Sequence, residues 1–412
     1  MALPATLLVQ LDFSTGATFG VPFTLGDSKN GILGTNVLAD KASYIVDLSN
    51  QTLRIKIDRG RNIYRDTYES GYTTIRVNDP NSYFSPQNTA SPYYGKLQPL
   101  RKLRISATIS TTSYYLFSGY VTEYKYTYPT NQSTGFVDIT AYDAFRLFQL
   151  ANVTTITGQA AGQDTGTRIA KILDTVSFPN SMRALDTGNS LTIADPATSR
   201  TSLVALKNCE TSEQGAFYIN PAGTAVFKNR TNTIASGNGT PTAFNQTTGI
   251  PYADLKFAFD DKLIVNSTSV TRYGGTIQTA SDAASIAQYF PHSSTFTDSV
   301  IDTDANALNI AKIYTATRAA TTLRIDEMTL DLINPNVPTA TILAMDYFQN
   351  VTITNKQPDG STITKTLQLQ GIRHEITPNT WDTTFTTLER ITDGFIVGSS
   401  TYGVLGQDII AF

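Results

Sequence analysis

The sequence predicts a mainly β protein with a smaller α+β part, and three observations carry the prediction. Charged residues make up only 16% of the chain, against roughly 25% in ordinary soluble domains. Their place is taken by Thr, Ser, Asn and Gln and by 21 Tyr and 20 Phe. Thr, Tyr and Phe favour pleated, half-buried surfaces, while the Lys and Glu of exposed helix faces are scarce. Finally, apolar residues recur with a period of two in short runs bounded by Pro, Gly, Asn and Asp, which is the pattern of half-buried strands between turns. At 412 residues the chain exceeds what one core usually organises, so two to four compact units are expected.

The elements follow in chain order. Leu7, Val9, Leu11 and Phe13 alternate as a strand, in an N-terminus with no basic leader and too short an apolar run for export or membrane spanning. Residues 1–46 are read as an N-terminal arm. Residues 47–155 read as a sheet unit of barrel or sandwich type: Leu53, Ile55 and Ile57 alternate, then Ile75 and Val77 run into the turn cluster Asn78-Asp-Pro80. Further runs start at Leu103, Leu116 and Val137, the last leading into a short helix near Phe145 and Phe148.

Residues 156–255 read as an α+β unit. Ile169, Ile172, Leu173 and Val176 have helical spacing, a second helix spans 202–210, and residues 217–227 form a hairpin around Pro221 and Gly223. A Gly/Asn/Thr linker or exposed loop is expected over 231–251. Residues 256–392 return to strands: Leu263 to Val265, a Ser281-capped helix reaching Tyr289, a helix over 304–316, strands near Leu323 and Val351, a hairpin turn at Lys356-Gln-Pro-Asp-Gly360, and a final hairpin around Trp381. Residues 393–412 are a C-terminal arm.

The two arms share a pattern. Residues 23–40 align without gaps on residues 395–412 with seven of eighteen positions identical, Gly31 and Gly34 matching Gly403 and Gly406. Such short apolar segments cannot bury themselves, so they are read as arms docking on equivalent larger surfaces. The charge is also uneven. Residues 47–105 hold ten Lys/Arg against five acidic residues, while the whole chain is −3. The arginines, Arg59, Arg61 and Arg65 among them, are dispersed along strands without the aromatic motif of a nucleic-acid track. They are read as a solvated sheet face or an assembly contact with acidic neighbours.

No cluster of activating groups points to catalysis. Neither His292 nor His374 has metal-ligand spacing, and His374 is read as an exposed or paired strand histidine. Cys209, the one cysteine, is read as a buried thiol. Phosphate-loop, nucleophile-elbow and dinucleotide signatures are missing. Of the paired carboxylates, Asp260-Asp261 and Asp326-Glu327 point to opposite faces of extended chain, and Asp302 and Asp304 suit a helix start. The expectation is no enzyme, no cofactor and no metal.

Five stretches resemble one family. Thr74-Ile-Arg-Val-Asn-Asp-Pro-Asn-Ser-Tyr-Phe-Ser-Pro86, Leu116-Phe-Ser-Gly-Tyr-Val121 and Val137-Asp-Ile-Thr-Ala-Tyr-Asp-Ala-Phe145 are similar to the first hub domain of tailed-phage baseplate-hub and tail-tip proteins. The stretch 202–227 looks like their α+β insert, and Leu369-Gln-Gly-Ile-Arg-His-Glu-Ile-Thr-Pro-Asn-Thr-Trp381 like the end of the second hub barrel of siphophage minor tail proteins. The resemblance covers roughly residues 50–390 and implies two tube-like β-barrel hub domains flanking an α+β insert. It implies a homotrimer whose six barrels continue the hexameric tail tube and adapt it to threefold tip proteins. Implied partners are the distal tail or tail tube protein, the tape measure protein and tail fibre or tip proteins, with the genome passing through the lumen and no sequence-specific nucleic-acid binding. The implied location is the virion tail tip, assembled in the host bacterial cytoplasm. The chain ends about twenty residues past the expected barrel, so the C-terminal peptidase or glycan-binding extension of some relatives is not expected. Competing readings are a distal tail or receptor-binding virion protein, and a cell-wall or capsule hydrolase.

Overall fold

The computed structural model describes residues 3–14, 44–63, 66–128, 135–233 and 239–389. The first eight strands are β1 (Thr6–Asp12), β2 (Ile45–Asp47), β3 (Thr52–Asn62), β4 (Thr67–Tyr68), β5 (Tyr72–Asn78), β6 (Lys102–Ile109), β7 (Thr112–Thr127) and β8 (Phe136–Tyr142). Alternation decides which side chains face inward: Thr73, Ile75 and Val77 on β5, and Val137, Ile139 and Ala141 on β8, are buried while their neighbours face outward.

Helices α1 (Phe145–Leu150), α2 (Thr165–Thr175) and α3 (Ser202–Glu213) follow, with strands β9 (Arg183–Leu185), β10 (Ala216–Ile219) and β11 (Ala225–Lys228). Asp164 and Thr201 accept from amides three residues on and cap α2 and α3. The expected hairpin is β10–β11, turning at Gly223 with φ +89°. Then come β12 (Thr242–Asn245), β13 (Asp254–Ala258), β14 (Ser267–Arg272), β15 (Gln278–Ser281), α4 (Ala283–Tyr289), β16 (Ser293–Ser299) and α5 (Asp304–Ala316). The chain closes with β17 (Arg324–Asp331), β18 (Asn350–Lys356), β19 (Thr362–Ile376) and β20 (Trp381–Glu389).

Among the described residues fourteen strands form one sheet, in the order β13-β17-β20-β19-β3-β5-β8-β7-β6-β1-β2, with β18 and β12 branching from β19 and β4 from β3. The join is the antiparallel pair β19–β3, with Ile57 opposite His374 and Gly60 opposite Gly371. It hydrogen-bonds strands from the regions assigned by sequence to separate sheet units, and one hydrophobic cluster runs from Val9 and Ile55 through to Ile325 and Phe385. At the join Gly60 has φ +144°, and a Cβ placed there would lie 2.3 Å from Gly371 Cα, so only glycine lets the two backbones approach this closely.

Two further clusters are separate. Phe145, Phe148, Ile169, Ile172, Leu206, Cys209, Phe217 and Phe227 pack together in the α+β unit. Val270, Ile301, Ala307, Ile310 and Ala311 form a third, small core under a three-stranded sheet β15-β14-β16. Several expectations need correction here. Leu263 to Val265 is not a strand, because β14 starts at Ser267. Asp282, not Ser281, caps α4 by accepting from Ser285 N. The expected linker over 231–251 contributes β12, which pairs in parallel with β18; its short Thr-Ala-Phe-Asn run buries Phe244 completely.

Candidate functional site

The alternation that buries Ile55 and Ile57 continues to Arg59 and Arg61. Both guanidinium groups are thus carried inward, to the place where the large sheet, the α+β unit and the small third unit meet. Arg59 is 7% exposed; its Nη1 donates to Asp346 Oδ1 at 3.0 Å and the guanidinium lies 4.8 Å from the Tyr347 ring centre. Burial opposes its charge, but Tyr347 and Asp346 outweigh that and raise the pKa. Arg61 pairs with Asp66, whose second oxygen accepts from Arg318 Nη2 at 2.8 Å. Burial raises the Asp66 pKa, yet Arg61 and Arg318 together hold it below the usual carboxylate range. Arg318 in turn lies 3.8 Å over Tyr314 on α5, so this ion triad ties β3 to the third unit.

Aromatic and amide groups complete the junction. Tyr68 OH donates to Gln370 Oε1 at 2.8 Å, Gln370 Nε2 to Gln368 Oε1 at 3.0 Å, and Gln368 Nε2 to Phe348 O at 3.1 Å. Tyr68 and Tyr218 are 5.6 Å apart, and Tyr218 and Tyr347 4.9 Å, so rings from β4, β10 and the segment before β18 interlock. A small polar pocket of about 90 Å³ sits here, lined by Arg61, Asp66, Glu210, Tyr314 and Arg318. On the other side of the join lies a larger cleft of about 1000 Å³, reaching from Gly60 and Gly371 past Arg373 and Glu327 to Phe257 and Phe259.

Within residues 47–105, Arg54, Lys56, Arg59, Arg61 and Arg76 meet acidic partners in the same chain. Arg54 and Lys56 lie 3.4 and 3.5 Å from Glu375, Arg76 makes a two-pronged pair with Asp138 at 2.8 Å, and Asp58 holds Arg373 at 3.2 Å. Arg59 and Arg61 therefore do not form a solvated face. Arg65 and the four glycines Gly31, Gly34, Gly403 and Gly406 lie outside the described residues, as does the whole terminal repeat. His374 is not exposed: it is 4% accessible, its Nδ1 is 2.9 Å from Thr383 Oγ1, and burial pushes its pKa down to about 3. The even phase of β19 that sends it inward is the same phase that buries Ile372 and Ile376. Cys209 is buried, as read from sequence, and burial pushes its thiol up to about 12.

The candidate carboxylate pairs have structural partners. Asp260 and Asp326 both bind Arg324, at 2.9 and 3.1 Å, and Glu327 binds Lys256. Asp304 accepts from Arg272 and Thr276, and Asp302 from Asn306. Asp261 lies 3.6 Å from His292. Among the described residues no group of three His, Cys, Asp or Glu side chains is placed to hold a metal ion, and no helix is long and apolar enough to cross a membrane. Sequence reading missed Asp66, Asp346, Tyr347 and Gln370. A signal for their need was present: two arginines in the inward phase of an apolar strand require buried acceptors.

No protein-family model and no curated protein matches the chain. Solved structures do. The 43 kDa tail protein of prophage MuSo2 from Shewanella oneidensis has a TM-score of 0.56 at 10% identity, over 84% of this chain and 96% of that one. The tail protein of Neisseria meningitidis MC58 has a TM-score of 0.55 at 12% identity, over 84% and 94%. Over that part of the chain the fold is similar to that of these two tail proteins.

Proposed function

We propose that the chain is a structural component of a phage tail tip or baseplate hub, a homotrimer that continues the hexameric tail tube and adapts it to threefold tip proteins. The observation that carries this reading is the shared fold with two tail proteins over 84% of the chain and nearly all of theirs. In this reading residues 47–155 and 256–392 supply two tube-like barrels, residues 156–255 are the insert and residues 393–412 an arm; the N-terminal arm expected over 1–46 gives up Thr6–Asp12, which pairs with β6 inside the sheet and buries Val9 and Leu11. Support comes from the β3–β19 join, which sets two strand-rich halves side by side in one sheet. Closing three such sheets into a ring would also cover their free edges.

A non-enzymatic role agrees with the chemistry, since the candidate carboxylates are engaged with Arg, Lys, His or Asn side chains. Distal tail or tail tube proteins, the tape measure protein and tail fibre or tip proteins would be the neighbours, in the virion tail tip after assembly in the host cytoplasm. We assign the assembly contacts to Arg65, Gly31, Gly34, Gly403 and Gly406, with Arg59 and Arg61 acting through the shape of the junction they hold. Light scattering tests the oligomer directly. A purified assembly of three times the 44.8 kDa chain mass is expected; a stable monomer or six copies per ring in the particle overturns the hub reading.

A further inference from the structure

The backbone at Phe290, just past α4 in the third unit, is strained. Its φ of +67° and ψ of 164° fall in a region almost confined to glycine. The ring gains little from the protomer, being 80% exposed. The turn is nevertheless held firmly. Fully buried Asn266 donates through Nδ2 to Phe290 O at 2.9 Å and accepts at Oδ1 from His292 N at 2.7 Å. Asn266 Nδ2 also donates to Ser285 Oγ at 3.1 Å, and Phe290 N donates to Ile286 O at 3.0 Å. Strain that surrounding groups over-determine in this way belongs to functional positions. Here it fixes a large apolar ring in solvent.

A second exposed ring is carried on a neighbouring segment. Phe259 is 70% exposed, and Asp261 Oδ2 lies 3.6 Å from His292 Nε2. Each phenylalanine sits two residues before one member of that contact. Partly exposed Phe257 lines the same cleft as Phe259. At about 150–250 Å² per aromatic side chain, the three rings expose roughly 300–450 Å². That is the size of a functional patch, and about half of the roughly 800 Å² per partner of a stable interface. It suits the aromatic centre of a contact whose polar rim supplies the rest. The rim carries Asp254, Lys256, Asp261 and Lys262, all exposed and two of each sign. A partner of one dominant charge meets as much repulsion as attraction there, whereas a second copy of this chain brings the same balance.

We propose that Phe259 and Phe290 form the aromatic centre of the contact between copies of this chain. The proposal rests on the trimer reading and names a surface for it. The test compares the full chain with Phe290→Gly, Phe259→Ser and the double variant by sedimentation over a concentration series. The concentration at which the double variant dissociates is expected to rise at least about thirtyfold. Phe290→Gly separates docking from folding, because glycine adopts this backbone without strain. Its denaturation midpoint, measured on dilute, dissociated protein, is expected to hold or rise while its assembly weakens. A lowered midpoint overturns the proposal, since the ring would then belong to the protomer's own packing. A native trimer that the substitutions leave intact overturns the proposal and spares the hub reading; the patch then faces a different protein or a lipid surface. A native chain that stays monomeric at every concentration overturns both.

Discussion

Substituting Gly60 by alanine tests the join where two strands far apart in sequence cross without side chains. Two penalties combine. A φ of +144° lies where an L side chain is strained by about 1–3 kcal/mol. The new Cβ also meets Gly371 Cα at 2.3 Å and Gln370 O at 2.7 Å. Both are backbone atoms that no rotamer change can move, and overpacking of this kind costs about 1–3 kcal/mol. A loss of about 2–6 kcal/mol is expected, a large fraction of the 5–15 kcal/mol typical of a folded domain. Trp381 is the single tryptophan and is fully buried on β20 of the same sheet, so its fluorescence in a denaturant titration reports this sheet specifically. Gly95→Ala is the control: φ is +73° and nothing lies within 4 Å of its Cβ, leaving strain alone at about 1 kcal/mol. If Gly60→Ala costs no more than Gly95→Ala, the close approach is not what constrains the join.

Acid sensitivity is expected from His374. Its pKa is about 3 folded against 6.5 unfolded, so the unfolded chain binds the extra proton and stability falls as pH drops from about 6.5 to 3, by about 4–5 kcal/mol. Comparing denaturation midpoints of the native chain and His374→Gln across that range isolates this contribution from Asp143. The buried Asp143 carboxyl, pushed up to about 6, favours the folded state at the acid end and loses that effect as pH rises from about 4 to 6. Asp66→Asn leaves Arg61 and Arg318 facing each other without a carboxylate and is expected to cost about 2–4 kcal/mol, read by thermal unfolding. Arg59→Glu sets a carboxylate against Asp346 and is expected to lower the melting temperature before any effect on assembly. Arg54→Glu, at an exposed pair, should change stability by less than about 1 kcal/mol. Cys209 should stay unreactive to a thiol reagent at pH 8 until the α+β unit unfolds; rapid labelling of the native protein would contradict its burial.

Much of the strand content was legible because period-two runs such as Ile75-Val77 and Val137-Ile139 record a buried face directly. Turns with a mechanism, at Gly223 and at Gly360 with φ +88°, were legible for the same local reason. What the sequence hid was non-local. Phe244 in a Thr- and Asn-rich stretch looked like linker because its partner, Ile353, is more than a hundred residues away. His374 and Arg59 looked like surface groups by residue type. Their strand phase said otherwise, and phase outweighs type wherever a strand has one dry face. The ion pairs of the basic segment reach Asp346 and Glu375 at separations near three hundred residues, which no local pattern encodes.

The β3–β19 join also has a temporal side. Asp58 and Arg373 are 315 residues apart, so at 5–20 residues per second of synthesis β3 waits roughly 15–60 s for the strand that will cover its second edge. A waiting apolar edge invites pairing with another nascent chain. Here the strand carries Arg54, Lys56, Asp58, Arg59 and Arg61, and charged side chains on a strand discourage edge-to-edge association. The residues that end as ion-pair partners inside the finished protomer thus serve first as a guard on an incomplete one. A chain released after residue 155 should remain dispersed, whereas the same fragment with Arg54, Lys56 and Arg61 changed to Thr should precipitate.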